Sequence, residues 1–336
     1  MTARRNPTLA DLLESFFRQR LAAQRRASPA TVASYRDALR LLLVFAAEQT
    51  GKDPSRLDIE DLSHELILAW LDHLECERGN CPRTRNARRA AVRSFFRHVA
   101  YADPALMGLA QRILAIPGKR TIRRTPNYLP HEEFHALLAA VDRSAPRGRR
   151  DYALLLFLAK TGARVSEATR LDRVDLRLET PAQVLLHGKG PKERVVPLGE
   201  DTVAALRTLC NERGIGPDAK AAVFVNARGQ RLSRYGARHI LRRVVAVAAK
   251  TLPEITKRSP SPHTLRHTSA MHLLQAGVDL TVIQAWLGHA TLNTAHQYVE
   301  ADIEMKRRAL EKSGVIQAEP VRYKPPDPLL ALLERL

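Results

Sequence analysis

The chain has 336 residues, 45% of them hydrophobic, and 54 Lys and Arg against 35 Asp and Glu give a formal net charge of +19. That length exceeds one ordinary core and predicts two domains, while no apolar run approaches the roughly 18 residues that a membrane-spanning helix needs. The charge excess divides almost evenly, +9 over residues 1–126 and +10 over 127–336, which excludes a lone basic tail and points to a polyanion, nucleic acid, met by both halves.

The start, Met1 to Pro7, leads into a segment broken by Asp11 and Glu14 and lacks a signal-peptide core, so a cytoplasmic location is expected. Cys76, Cys81 and Cys210 are too few and too scattered for a disulfide framework, and no second pair follows Cys76 and Cys81 to make a zinc site of them, so the thiols read as structural. From Leu9 to about Ala102 apolar residues recur at three- and four-residue spacing, as in Leu9, Leu12, Leu13, Phe16 and Phe17 and again in Leu39, Leu42, Leu43 and Ala46. With starts marked at Ser28-Pro29, Ser63 and Pro82, this reads as four helices in a small bundle, an N-terminal domain over residues 1–103. The fourth helix carries Arg83, Arg85, Arg88, Arg89, Arg93 and Arg97 without one acid between them, opposite Val92, Phe95 and Phe96. A solvated helix face is the plain reading; phosphate contact with the aromatics turned inward is the better one.

Between residues 104 and 126 the apolar period weakens while Pro104, Pro117, Lys119, Arg120, Arg123, Arg124 and Pro126 accumulate, the composition of an extended basic linker crossing a DNA backbone. The second domain, residues 127–313, opens with a helix near Pro130 to Val141 and an apolar segment from Tyr152 to Lys160. Val184 to His187 and Arg194 to Leu198 flank Gly188-Lys189-Gly190-Pro191-Lys192 and read as a β-hairpin. Helices then dominate to about Lys312, and the tail, residues 314–336, ends in a short amphipathic helix bearing Leu329, Leu332, Leu333 and Leu336, which is unstable alone and docks in cis or on a neighbouring subunit. The fold class is therefore mainly α with a small antiparallel β-sheet.

Three distant stretches hold a set of side chains suited to one reaction. Attack on a phosphodiester builds negative charge that fixed donors must meet, and the planar fork of arginine suits this best. Arg164, after Gly162 in a tight turn, and Arg266 are the two candidates, with Glu167 either orienting Arg164 or simply pairing with it. Ser261-Pro262 starts a helix that places His263, Arg266 and His267 on one face. His263 suits a general base, whereas His267 is as readily a buried, hydrogen-bonded histidine. The His263-x-x-x-His267 spacing also fits two metal ligands, but Arg266 beside them repels a cation and no metal site is expected. His289 follows Gly288 at a helix end, and Tyr298 lies nine residues later. A phenol, with a reference pKa of about 10, needs cationic neighbours to act as a nucleophile near neutrality. Lys189, or its rival Lys192 in the same turn, is a flexible donor for a leaving oxygen or a phosphate ligand.

Thr161-Gly162-Ala163-Arg164-Val165-Ser166-Glu167, the Gly188-Lys189-Gly190 turn ahead of Val195-Val196-Pro197-Leu198, Pro262-His263-Thr264-Leu265-Arg266-His267, Leu287-Gly288-His289 and Tyr298 together resemble the signature of the tyrosine site-specific recombinases, the phage integrase family. The match runs in motif order over about residues 127–312, and the arginine-rich first part resembles that family's core-binding, SAM-like domain. The resemblance implies a C-shaped clamp on duplex DNA in which Tyr298 forms a 3'-phosphotyrosine and releases a 5'-hydroxyl. Arg164 and Arg266 then bind the scissile phosphate, His263 assists deprotonation of Tyr298, His289 donates to a non-bridging oxygen and Lys189 protonates the leaving oxygen. No cofactor and no metal are implied. The implied partners are double-stranded DNA with paired half-sites and further copies of the chain, a tetramer on DNA, with partner recombinases in some systems. Transposon integrases and the chromosome-dimer-resolving type are both similar, with no room before Leu9 for a separate arm-binding domain. The alternatives are a type IB topoisomerase-like relaxing enzyme and a catalytically silent accessory DNA-binding subunit.

Overall fold

The computed structural model describes residues 7–121, 126–188 and 192–288 and divides the chain into two units, Met1–Arg123 and Arg124–Leu336. Helix starts in the first unit follow local hydrogen bonding. Helix α1, Leu9–Ser15, begins in a capping box: Asp11 N–H donates to Thr8 Oγ1 at 3.2 Å and Thr8 N–H to Asp11 Oδ2 at 3.0 Å. The run continues with π-helical winding over Phe16–Gln24. Helix α2, Pro29–Thr50, starts under Ser28, whose Oγ accepts from Thr31 N–H, and stops at Gly51 in the left-handed region with φ 68°. Helices α3, His64–Cys76, and α4, Pro82–Ala102, follow, and Trp70, Phe16, Phe95 and Phe96 bury completely between them. The Phe16 and Phe95 rings meet edge to face with centroids 5.5 Å apart, the arrangement that the ring quadrupoles favour.

One expectation requires correction. Residues 104–126 read as an extended linker, yet Pro104–Leu106 forms a 3₁₀ turn that leads into a fifth helix, α5, Met107–Ala115. Leu106, Leu109, Ala110 and Ile113 recur at helical spacing, and Ala110 and Ile113 are fully buried in the same core as Trp70 and Phe96. The apolar period outweighs the flanking prolines, which lie outside α5, so the bundle runs on to Ile116 rather than ending at residue 103.

In the second unit, α6 spans His131–Ala139 and α7 spans Pro146–Thr161. Helix α7 is apolar on every side from Ala153 to Ala159 and is correspondingly buried, lying against the later helices α9, Glu200–Glu212, and α11, Pro262–Gln275. A single-turn helix, α8, Val165–Ala168, precedes a three-stranded antiparallel sheet in the order β1, Leu176–Arg177, β2, Gln183–His187, and β3, Glu193–Pro197. Val184 pairs with Val196 and Leu186 with Arg194, which turns Val184, Leu186 and Val196 into the core while Leu185 and Val195 face away, the alternation of a one-sided sheet. Helix α10, Arg234–Ala248, and the short α12, Leu280–Leu287, complete the described part. Among the described residues the protein is thus mainly helical with a small antiparallel sheet, as the sequence predicts.

Candidate active site

The site grows from the end of α7. Gly162 closes that helix at φ +63°, and an added Cβ would lie 2.4 Å from Leu287 Cδ2, so only glycine fits the conformation and the space. The chain then turns through Arg164, in extended conformation, into α8. Arg164 N–H donates to Glu167 Oε2 and its Nη1 to Glu167 Oε1, both at 2.8 Å, while Nη2 lies 3.4 Å from the Gly288 carbonyl. The Arg164 side chain keeps 43% of its surface exposed, whereas that of Glu167 is 2% exposed. Burial alone would raise the Glu167 pKa, but hydrogen bonds from Arg194 and from the Arg164 backbone outweigh it and hold the carboxyl below its ordinary value.

Helix α11 supplies the second guanidinium. Ser261 Oγ accepts from Thr264 N–H at 3.2 Å and Pro262 occupies the first turn, which fixes the register of His263, Arg266 and His267. Arg266 is 2% exposed; Nη1 donates to the Gly162 carbonyl at 2.6 Å and Nη2 to the Leu287 carbonyl at 2.5 Å. Arg164 and Arg266 therefore reach consecutive carbonyls at the end of α12. His263 is exposed, with its ring centroid 4.3 Å from that of the half-buried His267 in an edge arrangement. Burial, reinforced by His263 and Arg266, pushes His267 down to about 4, so it is neutral at physiological pH.

Lys192 is exposed and its carbonyl accepts from Gly188 N–H at 2.7 Å, closing the neck of the hairpin. Lys189, His289 and Tyr298 lie outside the described residues, as do Arg123, Arg124 and the tail. The sequence reading missed Arg194 on β3, which donates to Glu167 with both Nη atoms and to the Trp286 carbonyl with Nε. Its only sequence signal is position, two residues beyond the lysine-bearing turn. Among the described residues no group of three or more His, Cys, Asp or Glu is arranged to hold a metal ion, and no helix is long and apolar enough to cross a membrane.

The arginines of α4 divide into two sets. Arg83 and Arg97 are exposed, and Arg88 reaches the Ser34 carbonyl at 3.2 Å. Arg85, expected on the DNA face, is instead 4% exposed and lies in ion-pair contact 3.0 Å from Glu75 Oε2, a carboxylate that also receives Lys119 Nζ. Arg89 and Arg93 turn toward the end of α5: Arg89 Nε donates to the Ile116 carbonyl at 2.7 Å, and Arg93 donates to Leu114 and Ile116. Those carbonyls have no partner within their own helix, and the arginines supply one. Arg89, Arg93 and Arg97 with Arg25 and Tyr35 still line an open cavity of about 280 Å³, and Arg120 is exposed beyond the bundle.

The model of the phage integrase family matches residues 127–305, and that of the phage integrase N-terminal SAM-like domain matches residues 13–101. A Sinorhizobium fredii protein that bears the name integrase/recombinase y4rC is 46% identical over 99% of both chains. The tyrosine recombinase XerC of Pelobacter propionicus is 34% identical over 88% of this chain and 93% of its own. Among solved structures, the Tn1549 transposon integrase in complex with transposon right end DNA superposes with a TM-score of 0.68 over 89% of this chain and 98% of that one, at 18% identity, a likeness of fold. The chain belongs to the phage integrase family and is a tyrosine recombinase, an enzyme of site-specific DNA recombination that cleaves and rejoins DNA.

Proposed function

We propose that this enzyme exchanges strands between paired half-sites in duplex DNA through a 3'-phosphotyrosine on Tyr298. The observation that carries the reading is the convergence of Arg164 and Arg266, from separate helices, on the consecutive carbonyls of Gly288 and Leu287, immediately before His289. Two guanidiniums held there supply donors for the non-bridging oxygens of one phosphate, whose charge grows as a fifth oxygen approaches phosphorus. The Tyr298 oxygen attacks, its proton passing to His263; the bond from phosphorus to the 5'-oxygen breaks, and Lys189 gives that oxygen a proton. His289 donates to a non-bridging oxygen. Rejoining is the same step in reverse with a 5'-hydroxyl from the other strand, and since one phosphoester replaces another no nucleotide hydrolysis is required. The exposed position of His263 and the low pKa of His267 favour His263 as the base.

Duplex DNA as partner is supported by the net charge and by the cationic cavity beside α4, which Arg25, Arg89, Arg93 and Arg97 line. Arg83, Arg88, Lys119, Arg120, Arg123, Arg124 and Lys192 complete the proposed contact set, and four copies assemble on two sites in the cytoplasm. Related folds have been solved on DNA, among them the XerH recombinase on its difH substrate. The test is a library of nicked duplexes from the native genome, screened on denaturing gels for a protein-linked strand. The wild type should be trapped on a subset of duplexes and Tyr298→Phe should bind them without an adduct. An adduct that persists in Tyr298→Phe would reject the assignment. Plasmid relaxation with no joining of two marked sites would move the reading to a topoisomerase-like enzyme, and binding without any adduct would move it to an accessory subunit.

A further inference from the structure

Strand β3 carries one side chain that touches the supports of several proposed site residues. Arg194 is 11% exposed, and each of its three nitrogens is engaged: Nη1 with Glu167 Oε1 at 3.0 Å, Nη2 with Glu167 Oε2 at 2.8 Å, and Nε with the Trp286 carbonyl at 2.8 Å. The same two carboxylate oxygens receive Arg164, Oε1 from Nη1 and Oε2 from the backbone N–H. Glu167 thus accepts four hydrogen bonds, the full capacity of an ionised carboxylate, two from each arginine. Arg194 also packs its stem under the end of α12, where a Cβ on Gly288 would lie 3.1 Å from Arg194 Cδ. The hairpin neck borders the cluster too, since a Cβ on Gly188 would lie 3.8 Å from Glu167 Oε1.

We propose that Arg194 is a positioning residue for the recombination reaction: through Glu167 it fixes the Arg164 guanidinium, and through Trp286 it fixes the point from which the chain carrying His289 and Tyr298 departs. This rests on the reading above that Arg164 binds the scissile phosphate. The physical argument is one of competing orientations. Arg164 is half exposed and held chiefly by one carboxylate. A carboxylate bound by Arg164 alone is free to rotate, and burial favours its neutral form. The bidentate fork of Arg194 fixes the carboxylate plane, keeps it ionised, and so sets the direction in which Arg164 presents its remaining donors. A lysine cannot reproduce this, because one ammonium group cannot span both carboxylate oxygens and a carbonyl on the far side.

The role is separable from simple folding support. In single-turnover cleavage of a nicked duplex at saturating concentration, Arg194→Lys and Glu167→Gln should each slow the step by roughly 10- to 100-fold with duplex Kd changed by less than about threefold, because misplacing a transition-state donor costs rate rather than binding. The double variant should be no slower than the slower single variant, since both substitutions cut one chain of contacts. The loss in Arg194→Lys should deepen as pH falls, as the less firmly held Glu167 takes up a proton, whereas Glu167→Gln should show no such added slope. An unchanged saturated rate, losses that multiply in the double variant, or a loss confined to Kd and melting temperature would each overturn the proposal. Glu167→Gln keeps the side-chain volume and serves if Arg194→Lys does not fold. If wild-type protein forms no Tyr298 adduct, the proposed reaction itself fails. The anchoring of α12 is then read on the free proteins by amide hydrogen exchange over residues 280–288: faster exchange in Arg194→Lys supports it, and unchanged exchange overturns it.

Discussion

Replacing Gly162 with alanine tests how tightly the site is built. The backbone there sits at φ +63°, and an ideal Cβ would meet Leu287 Cδ2 at 2.4 Å and Ser269 Oγ at 3.1 Å. Left-handed backbone costs an L-residue about 1–2 kcal/mol, and forcing a methyl into a filled core costs about 1–3 kcal/mol more. Leu287 is fully buried and cannot yield toward solvent. A combined loss of about 3 kcal/mol corresponds to a fall of about 6–12 °C in melting temperature for a unit of this size. Gly214→Ala is the matched control, because its φ is +61° with nothing within 4 Å of the added Cβ, so it carries the backbone term alone. Thermal denaturation of both variants should therefore show Gly162→Ala less stable than Gly214→Ala by about 1–3 kcal/mol. Moving Leu287 also moves the carbonyl that receives Arg266 Nη2, so cleavage should fall in Gly162→Ala and not in Gly214→Ala. Equal destabilisation by the two substitutions would refute the packing argument.

Other consequences follow from the charged groups. Arg83→Ala combined with Arg97→Ala should weaken DNA binding and reduce the salt dependence of log Kd by about 2 units if each contacts one phosphate. Arg85→Ala, which strips the half-buried Glu75 of a partner, should lower stability and leave the salt slope unchanged; a reduced slope would return Arg85 to the DNA face. Arg164→Lys should bind DNA with near-normal affinity and lose most of its cleavage, because an ammonium replaces a fork; normal cleavage would remove Arg164 from the phosphate. His187, on the hairpin, is bound by Asp175 at 3.0 Å and Glu193 at 2.9 Å, and the Asp175 hydrogen bond leads in raising its pKa. Its contribution to stability is complete below its ordinary value of 6.5 and vanishes as pH rises through the raised folded value, so His187→Gln should flatten the unfolding profile in that window. His272 has the opposite sign: burial, aided by His131, lowers it to about 4, so its contribution is present above 6.5 and lost as pH falls toward 4. Acid unfolding that is unaltered in His272→Gln would contradict it.

What the sequence discloses depends on whether a cause is local. Ser28, Ser63 and Ser261 each accept from a backbone N–H three residues on, so helix starts were legible from a few adjacent letters. The hairpin was legible because two short apolar runs, Val184 to His187 and Arg194 to Leu198, flank the turn residues Gly188-Lys189-Gly190-Pro191-Lys192. The pairing of Arg85 with Glu75 joins two helices through side chains ten residues apart, and nothing in the α4 pattern separates Arg85 from the exposed Arg83. Arg89 and Arg93 were harder still, because their acceptors are main-chain carbonyls, which every residue carries and no motif can mark, and Arg194 joins Glu167 on another element as well as the Trp286 carbonyl. The helix within residues 104–126 is obscured for a different reason: Pro104 and Pro117 flank it, while the spacing of Leu106, Leu109, Ala110 and Ile113 decides the conformation.

Helix α12 ends with Trp286, Leu287 and Gly288 each offering its carbonyl to a different arginine, Arg194, Arg266 and Arg164 in turn. Among the described residues, its terminus is neutralised by cations delivered from elsewhere in the unit. Grafting onto Gly288 the later segment of a distant relative should therefore leave α12 wound, and such hybrids would let strand-transfer preferences be swapped between recombinases while the arginines proposed to bind the phosphate stay as they are.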